Sequence, residues 1–390
     1  MWRMNNLGVA KMPRPVRFLH TSDIHLGAQM QGYSGMAKHL EKDLERASFL
    51  ALERICDKAI EYDVDFILIA GDIYHDEVRT VKAVRFFRDQ ISRLADAGVK
   101  AYAVYGNHDP VGDTVDLLDM PGNFHAFSWT APGYIEIEDE NGIPMARLLG
   151  ISYRTRWDSR RLYSMLRPPD GSIPNIALLH TALEPDKNRY APCSLQDLVD
   201  SEYIHYWALG HVHDPLVVRS EEPAIVYPGT PQGNSPREVG VKGCYLVELA
   251  LNSPPQLEFI PISPYLWREV EVPLDGKDVN ISDVEAILSR KADEIVKAPP
   301  CTSKPWLSLG WQPEGYLVRW VLTGRSPVHK ELADGDNGAE ELKLCLEEFQ
   351  YREPFLWTES IQVQTGNVLP EWEEMLVSWP MAERLANIAD

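Results

Sequence analysis

Five short segments between Asp23 and His213 set the strongest limit on how this 390-residue chain can fold. They are DIH (Asp23, His25), GDIYHD (Asp72, His75, Asp76), GNHD (Asn107, His108, Asp109), LLH (His180) and GHVH (His211, His213). Each closes or directly follows a run of β-prone apolar residues: VRFLH, DFILIA, VKAYAVYG, IALLH and YWALG. Loops at the carboxyl ends of neighbouring strands converge, so a fold that uses all five segments together must align those strands with their ends on one side. Six of the eleven histidines fall in these segments; His20, His39, His125, His205 and His329 do not, and a core or surface role is expected of those five. A single DxH or GNH is an ordinary turn. Five in order, all at strand ends, read as one constellation.

Between the strands the apolar spacing is helical. A long amphipathic stretch covers about Met36 to Glu61, and Val81, Val84, Phe87, Ile91 and Leu94 recur every three or four residues until Gly98 closes that helix. Further strands are expected at AIVY (Ala224 to Tyr227), CYLVEL (Cys244 to Leu249) and QLEFIPI (Gln256 to Ile262). Strand and helix in alternation predict an α/β fold in which helices cover layered sheets. The proline-marked stretch at Ser263 to Tyr265 predicts a boundary, dividing the chain into an N-terminal extension (1–15), a main domain (16–263) and a smaller α+β domain (264–390). In the last, EVEVPL is a strand, Ser282 with Glu285 is a capping-box signature, and Tyr316 to Gly324 alternates as a half-buried strand.

Composition narrows the setting more than the function. No apolar run approaches the roughly 18 to 20 residues that span a bilayer, and the first residues lack the apolar core of a secretory signal. Five scattered cysteines without a CxxC pair encode neither a disulfide framework nor a zinc ribbon, and a cytoplasmic location without membrane contact is expected. A net charge of −20 argues against coating nucleic acid by bulk attraction. Yet Arg147, Arg154, Arg156, Arg160, Arg161 and Arg167 share a stretch that holds a single acid, Asp158. Of these, Arg154, Arg156, Arg160 and Arg161 are candidates to track a nucleic-acid backbone, with a solvated face paired to nearby acids as the alternative.

The donor types point to hard or borderline divalent metals. Aspartate and histidine supply anionic oxygen and neutral imidazole, and Asn107 a neutral carbonyl oxygen, with no thiolate among them. Such a set suits Mn(II), Fe(II) or Zn(II). A carboxylate shared by two cations roughly 3.5 to 4 Å apart screens their repulsion, and Asp72, in a glycine-led turn after the most hydrophobic strand, is the natural bridge. Gly71, Gly106 and Gly210 each precede a ligand-type residue, where lack of a Cβ permits a sharp turn or close approach.

The ordered set DxH, GDxxx, GNHD, H and GHxH resembles the calcineurin-like metallophosphoesterase superfamily. The resemblance implies a layered metallophosphoesterase β-sandwich flanked by helices, with a C-terminal capping domain. It implies one metal on Asp23, His25, Asp72 and His213, and a second on Asp72, Asn107, His180 and His211. Water activated between the two would attack phosphorus in line, while His108 stabilises the phosphorane or protonates the leaving oxygen. Where the protein phosphatase branch has GDxVDRG, this chain has His75 in place of the acid, and GDIYHD resembles the second motif of the SbcD-type DNA repair nucleases. There the extra histidine helps orient the phosphodiester. Tyr190 to Leu198 and Tyr227 to Leu249 are similar to the shorter, YhaO-like bacterial branch, and Val318 to Leu332 to its accessory domain.

These readings lead to a metal-dependent DNA exonuclease with single-strand endonuclease activity, using two divalent ions, manganese foremost. Its implied partners are DNA, an SMC-like ATPase of the SbcC type, and a second copy of the chain in a homodimer. An apolar stripe of Trp372, Met375, Leu376, Trp379, Leu385 and Ile388 is either a docking surface for the ATPase or core. Two other functions compete: a phosphodiesterase or phosphatase for small phosphate esters, and a non-catalytic subunit that positions the ATPase.

Overall fold

Alternate residues of the predicted strands carry large apolar side chains on both faces, and such strands need cover on both sides. The computed structural model supplies it by stacking two six-stranded sheets and flanking them with helices. It describes residues 14–33, 35–75, 80–110, 119–183, 189–275, 279–297, 311–333 and 337–368. Asp76, most of the N-terminal extension and the stripe from Trp372 to Ile388 lie outside the described residues.

The first sheet has the order β12-β11-β1-β2-β3-β4, where β1 is Val16–Thr21, β2 Phe66–Ala70, β3 Lys100–Val104, β4 Phe124–Ala126, β11 Gly243–Leu249 and β12 Gln256–Pro261. Strands β1 to β4 run parallel, with Leu19 opposite Ile67 and Ile67 opposite Ala101. The second sheet has the order β5-β6-β7-β8-β10-β9, with β5 Gly133–Glu138, β6 Pro144–Gly150, β7 Asn175–His180, β8 Tyr206–Gly210, β9 Leu216–Arg219 and β10 Ala224–Tyr227. Here β6, β7, β8 and β10 are parallel, and His180 pairs with Gly210.

The two-residue period of a strand explains the layering. Phe18, Phe66, Leu68, Tyr102 and Val104 point from the first sheet into a core shared with Leu148, Ile176, Leu178, Tyr206 and Val226 of the second. Their neighbours Leu19, Ile67, Ile69, Ala101 and Ala103 point the other way, against helices α2 (Ala47–Glu61) and α3 (Val81–Asp96). The outer face of the second sheet buries Leu149, Leu179, Trp207, Leu209 and Ile225 beneath a short helix, α4 (Leu195–Val199), and the loops around Leu162 and Ala191.

Two local expectations are corrected. The stretch from Met36 to Glu61 is not one helix: α1 (Lys38–Leu44) ends in a turn at Glu45 and Arg46 before α2 begins. The capping box expected of Ser282 and Glu285 is formed two residues earlier, where Asn280 Oδ1 accepts the Asp283 N–H and Asp283 Oδ2 accepts the Asn280 N–H, each at 3.0 Å. Asparagine is at least as good an N-cap as serine, and this choice lengthens helix α5 (Ile281–Lys297) by two residues, about half a turn.

The chain divides into two compact units between Leu266 and Trp267, with residues 311–313 grouped with the first. The second unit contains α5, α6 (His329–Ala333), α7 (Asn337–Leu344) and, from Trp267 on, the three-stranded sheet of β13 (Tyr265–Pro273), β14 (Gly315–Arg325) and β15 (Phe355–Gly366). Strands β14 and β15 are parallel, and Trp320 Nε1–H donates to Thr358 Oγ1 at 3.1 Å between them. Among the described residues no helix is long and apolar enough to cross a membrane.

Candidate metal centre

Because β1, β2, β3, β7 and β8 all run the same way within their sheets, the loops that leave them meet at one edge of the sandwich. Backbone hydrogen bonds lock the first two together: the Asp23 N–H donates to Gly71 O and the His25 N–H to Asp72 O, both at 3.0 Å. Asp109 braces the third. Its buried carboxylate accepts the N–H groups of Ile73 (2.7 Å), Tyr74 (3.1 Å) and Gly106 (2.9 Å), tying GNHD to GDIYH. The fifth is held by the Asp23 carboxylate, which accepts the His211 N–H at 3.0 and 3.1 Å.

This convergence requires unusual backbone. Asp23, His25, Asp72 and His211 all have positive φ, at 50°, 45°, 51° and 100°. Non-glycine residues adopt that region at a cost, and such outliers cluster where surrounding structure holds side chains for a task. The glycines beside them have a steric role: a Cβ on Gly71 would lie 2.2 Å from His180 Nδ1, on Gly106 2.2 Å from Asp72 Oδ1, and on Gly210 1.9 Å from Ala70 O.

The donor atoms fall into two sets with Asp72 between them. In one, His180 Nε2, Asn107 Oδ1 and His211 Nδ1 form a triangle with sides of 3.1, 3.0 and 3.3 Å. In the other, His25 Nε2 lies 3.2 Å from His213 Nε2, which is 3.9 Å from Asp23 Oδ1. Asp72 Oδ2 is 3.3 Å from His180 Nε2 and 3.9 Å from His25 Nε2, while Asp72 Oδ1 accepts the His108 N–H at 2.9 Å. Two nitrogens about 2.0 to 2.1 Å from one tetrahedral ion are roughly 3.3 Å apart, so these spacings suit a shared cation.

Protonation chemistry points the same way. The His180 Nδ1–H donates to Ala70 O at 2.9 Å, which turns the Nε2 lone pair of neutral His180 toward oxygens of Asp72 and Asn107. Three acceptors converging in a buried site repel unless a proton or a cation stands among them. Burial works against charge on His180, but the field and hydrogen bond of Asp72 outweigh it and lift the imidazole pKa to about 9. Asp72, opposed by burial and favoured by His180, stays well below the usual carboxylate range. A site that draws in a proton so strongly also draws in a divalent cation. Burial meanwhile pushes His25 and His211 down to about 3, leaving both imidazoles neutral with lone pairs to donate. The residues present therefore fit two divalent ions.

His75 and His108 stand beside this centre. Their rings stack at 5.2 Å and 17°, His108 meets His25 edge-on at 4.9 Å, and His75 Nδ1 is 3.5 Å from His25 Nδ1. The arginine stretch is less uniform. Arg147 is buried between Glu136 (2.8 Å) and Asp170 (3.0 Å), and Arg160 grips buried Asp158. Arg154, Arg156 and Arg161 are exposed, with Arg154 lying 4.9 Å over the Trp129 ring. Of the interleaved aromatics, Tyr153 packs inward beneath His180, whereas Trp157 is 51% exposed.

Sequence reasoning missed two contributors. Tyr190 lays its ring 4.7 Å from that of His211, and Glu238 accepts the Nδ1–H of His213 at 2.5 Å. Both belong to stretches whose likeness to the YhaO-like branch was legible, but neither is a ligand type at a strand end, so spacing alone carried no signal for them.

The model of the calcineurin-like phosphoesterase family matches residues 16–215. Over 358 residues the chain is 29% identical to the Bacillus subtilis protein named uncharacterized metallophosphoesterase YhaO, covering 90% of this chain and 82% of that one. It is 26% identical over 331 residues to the DNA double-strand break repair protein Mre11 of Aeropyrum pernix, covering 80% of this chain and 75% of that protein. With the protein of the same name from Archaeoglobus fulgidus it shares 23% identity over 287 residues, 69% of this chain and 62% of that protein.

Proposed function

This chain belongs to the calcineurin-like phosphoesterase family, and from that premise we propose that it is a dinuclear phosphodiesterase acting on DNA ends, an exonuclease with single-strand endonuclease activity. The observation that carries the DNA reading is His75, stacked on His108 and 3.5 Å from His25 at the edge of the donor set. A phosphodiester keeps one ester oxygen after the other leaves, and a further imidazole at that edge can hold the extra strand in line. Relatives named for DNA double-strand break repair support the same substrate class.

Asp23, His25, Asp72 and His213 would hold one cation, and Asp72, Asn107, His180 and His211 the other. Bound there, two divalent ions, manganese foremost, supply Lewis acidity that activates water and offsets charge on the phosphoryl oxygens. The chain's own part is positioning and proton transfer. Asp72 Oδ1 accepts the His108 N–H, which ties the shared carboxylate to the main chain that carries the His108 imidazole. His108 is the group that steadies the phosphorane or hands a proton to the leaving oxygen. Exposed Arg154, Arg156 and Arg161 would meet backbone phosphates, whereas Arg160 serves its pair with Asp158. An SMC-like ATPase and a second copy of the chain are the proposed partners, and the cytoplasm the proposed location.

The test is Mn(II)-dependent cleavage of end-labelled linear duplex and single-stranded DNA, alongside bis(p-nitrophenyl) phosphate. Cleavage from DNA ends is expected. Rapid turnover of the small diester with every DNA form left intact would refute the DNA assignment, and inactivity on all of them would refute the enzymatic one.

A further inference from the structure

Glu238 lies beyond residues 16–215, which the family model matches, and outside all five ligand segments. Its side chain is only 16% exposed and both carboxylate oxygens are engaged. Oε1 accepts the His213 Nδ1–H, while Oε2 accepts the N–H groups of Asn234 at 2.7 Å and Ser235 at 3.0 Å. A carboxylate held at both ends cannot rotate away, so the proton it fixes stays on Nδ1 of His213. The nitrogen then left with a lone pair is Nε2, the atom that faces His25 and Asp23.

The backbone of His213 is clamped from the same segment. Its carbonyl accepts the Thr230 N–H at 3.1 Å and the buried Lys242 ammonium at 3.2 Å, and Lys242 also pairs with Asp214. Gly229 passes so close that a Cβ there would sit 2.7 Å from that carbonyl. Residues 229–242 thus grip His213 by ring and by main chain.

We propose that Glu238 is a positioning residue that commits His213 to ligation through Nε2 and so sets the affinity of one of the two cation positions, the one shared with Asp23 and His25, with Lys242 fixing the backbone behind it. The proposal rests on the dinuclear reading above. A carboxylate behind a ligating imidazole typically changes metal affinity 10- to 100-fold.

The experiment is an Mn(II) titration of metal-stripped full-length protein, with free Mn(II) read by electron paramagnetic resonance and the metal-free unfolding temperature measured in parallel. Two equivalents are expected to bind wild type. In Glu238→Ala one equivalent should weaken about 10- to 100-fold and the other by less than about threefold. Glu238→Gln, which keeps an acceptor for Nδ1–H without the charge, should lie between them and serves if the alanine variant does not fold. Unchanged affinity for both equivalents in the variants would overturn the proposal. So would equal weakening of both together with a lower metal-free unfolding temperature, which would mark a loop support and nothing more. If wild type itself bound no Mn(II), or a single equivalent, the dinuclear reading would fail first.

Discussion

Replacing Gly106 by alanine adds one methyl group, and the consequences can be worked from two opposing terms. Gly106 does not have positive φ, so alanine is allowed there and reduces the freedom of the unfolded chain, a gain of about 0.4 to 1 kcal/mol. Against this, the new Cβ would stand 2.2 Å from Asp72 Oδ1 and 2.9 Å from His180 Cδ2, more than about 1 Å short of a normal contact with the oxygen. Asp72 is 1% exposed and its Oδ1 holds the His108 N–H, so it cannot swing aside without breaking that bond. Overpacking of this kind costs about 1 to 3 kcal/mol, so set against the entropic gain the net loss is about 0 to 2.6 kcal/mol. The larger effect falls on chemistry. Moving a shared ligand by about 1 Å is expected to lower turnover about 100-fold or more. Mn(II)-dependent hydrolysis of bis(p-nitrophenyl) phosphate, metal stoichiometry and thermal unfolding would be measured on the same sample. A Gly106→Ala protein with wild-type turnover and full metal content would refute the claim that Asp72 is a rigid, shared ligand.

Substituting His75 by serine should reduce DNA cleavage about 100-fold while metal content stays within error, since His75 stands outside both donor sets; loss of both ions, read by elemental analysis, would make it a ligand instead. Stripping divalent ions with a chelator should lower the unfolding temperature and Mn(II) should restore it, because ions at 100 times their Kd stabilise by about 2.7 kcal/mol; an unfolding temperature indifferent to Mn(II) would contradict a built site. His20 is fully buried, 3.0 Å from the Tyr206 hydroxyl, and burial pushes its pKa down to about 3. Above its unfolded pKa of 6.5 both states are neutral and nothing is lost; as pH falls below 6.5 the unfolded chain binds a proton that the folded protein refuses. At pH 5 that amounts to about 2 kcal/mol of lost stability, so His20→Gln should flatten the fall in unfolding temperature between pH 7 and 5; a parallel fall in both proteins would disprove it.

Local signals carried the architecture because they were locally sufficient. Apolar pairs such as Phe18 with Leu19 and Ile67 with Leu68 mark strands that need cover on both faces, and five strands ending in Asp, Asn or His imply one shared edge whatever the exact topology. The capping of α5 differs from expectation because Asn280, Ser282, Asp283 and Glu285 offer two overlapping boxes, of which the Asn280–Asp283 one closes. The arginine stretch shows the same limit. One acid among six arginines looks like a free cationic surface, but Glu136 and Asp170 reach Arg147 from other strands and loops.

What the amino-acid order determined is therefore the list of donors and the strands that bear them, since both are written within a few residues of each other. Tertiary structure alone decided how those donors share space: which lone pairs oppose one another, that Asp109 ties loops together instead of joining the donor set, and that Glu238, 25 residues beyond His213, supports its ring. Such relations depend on distances between segments remote in the chain, and neither periodicity nor composition contains them.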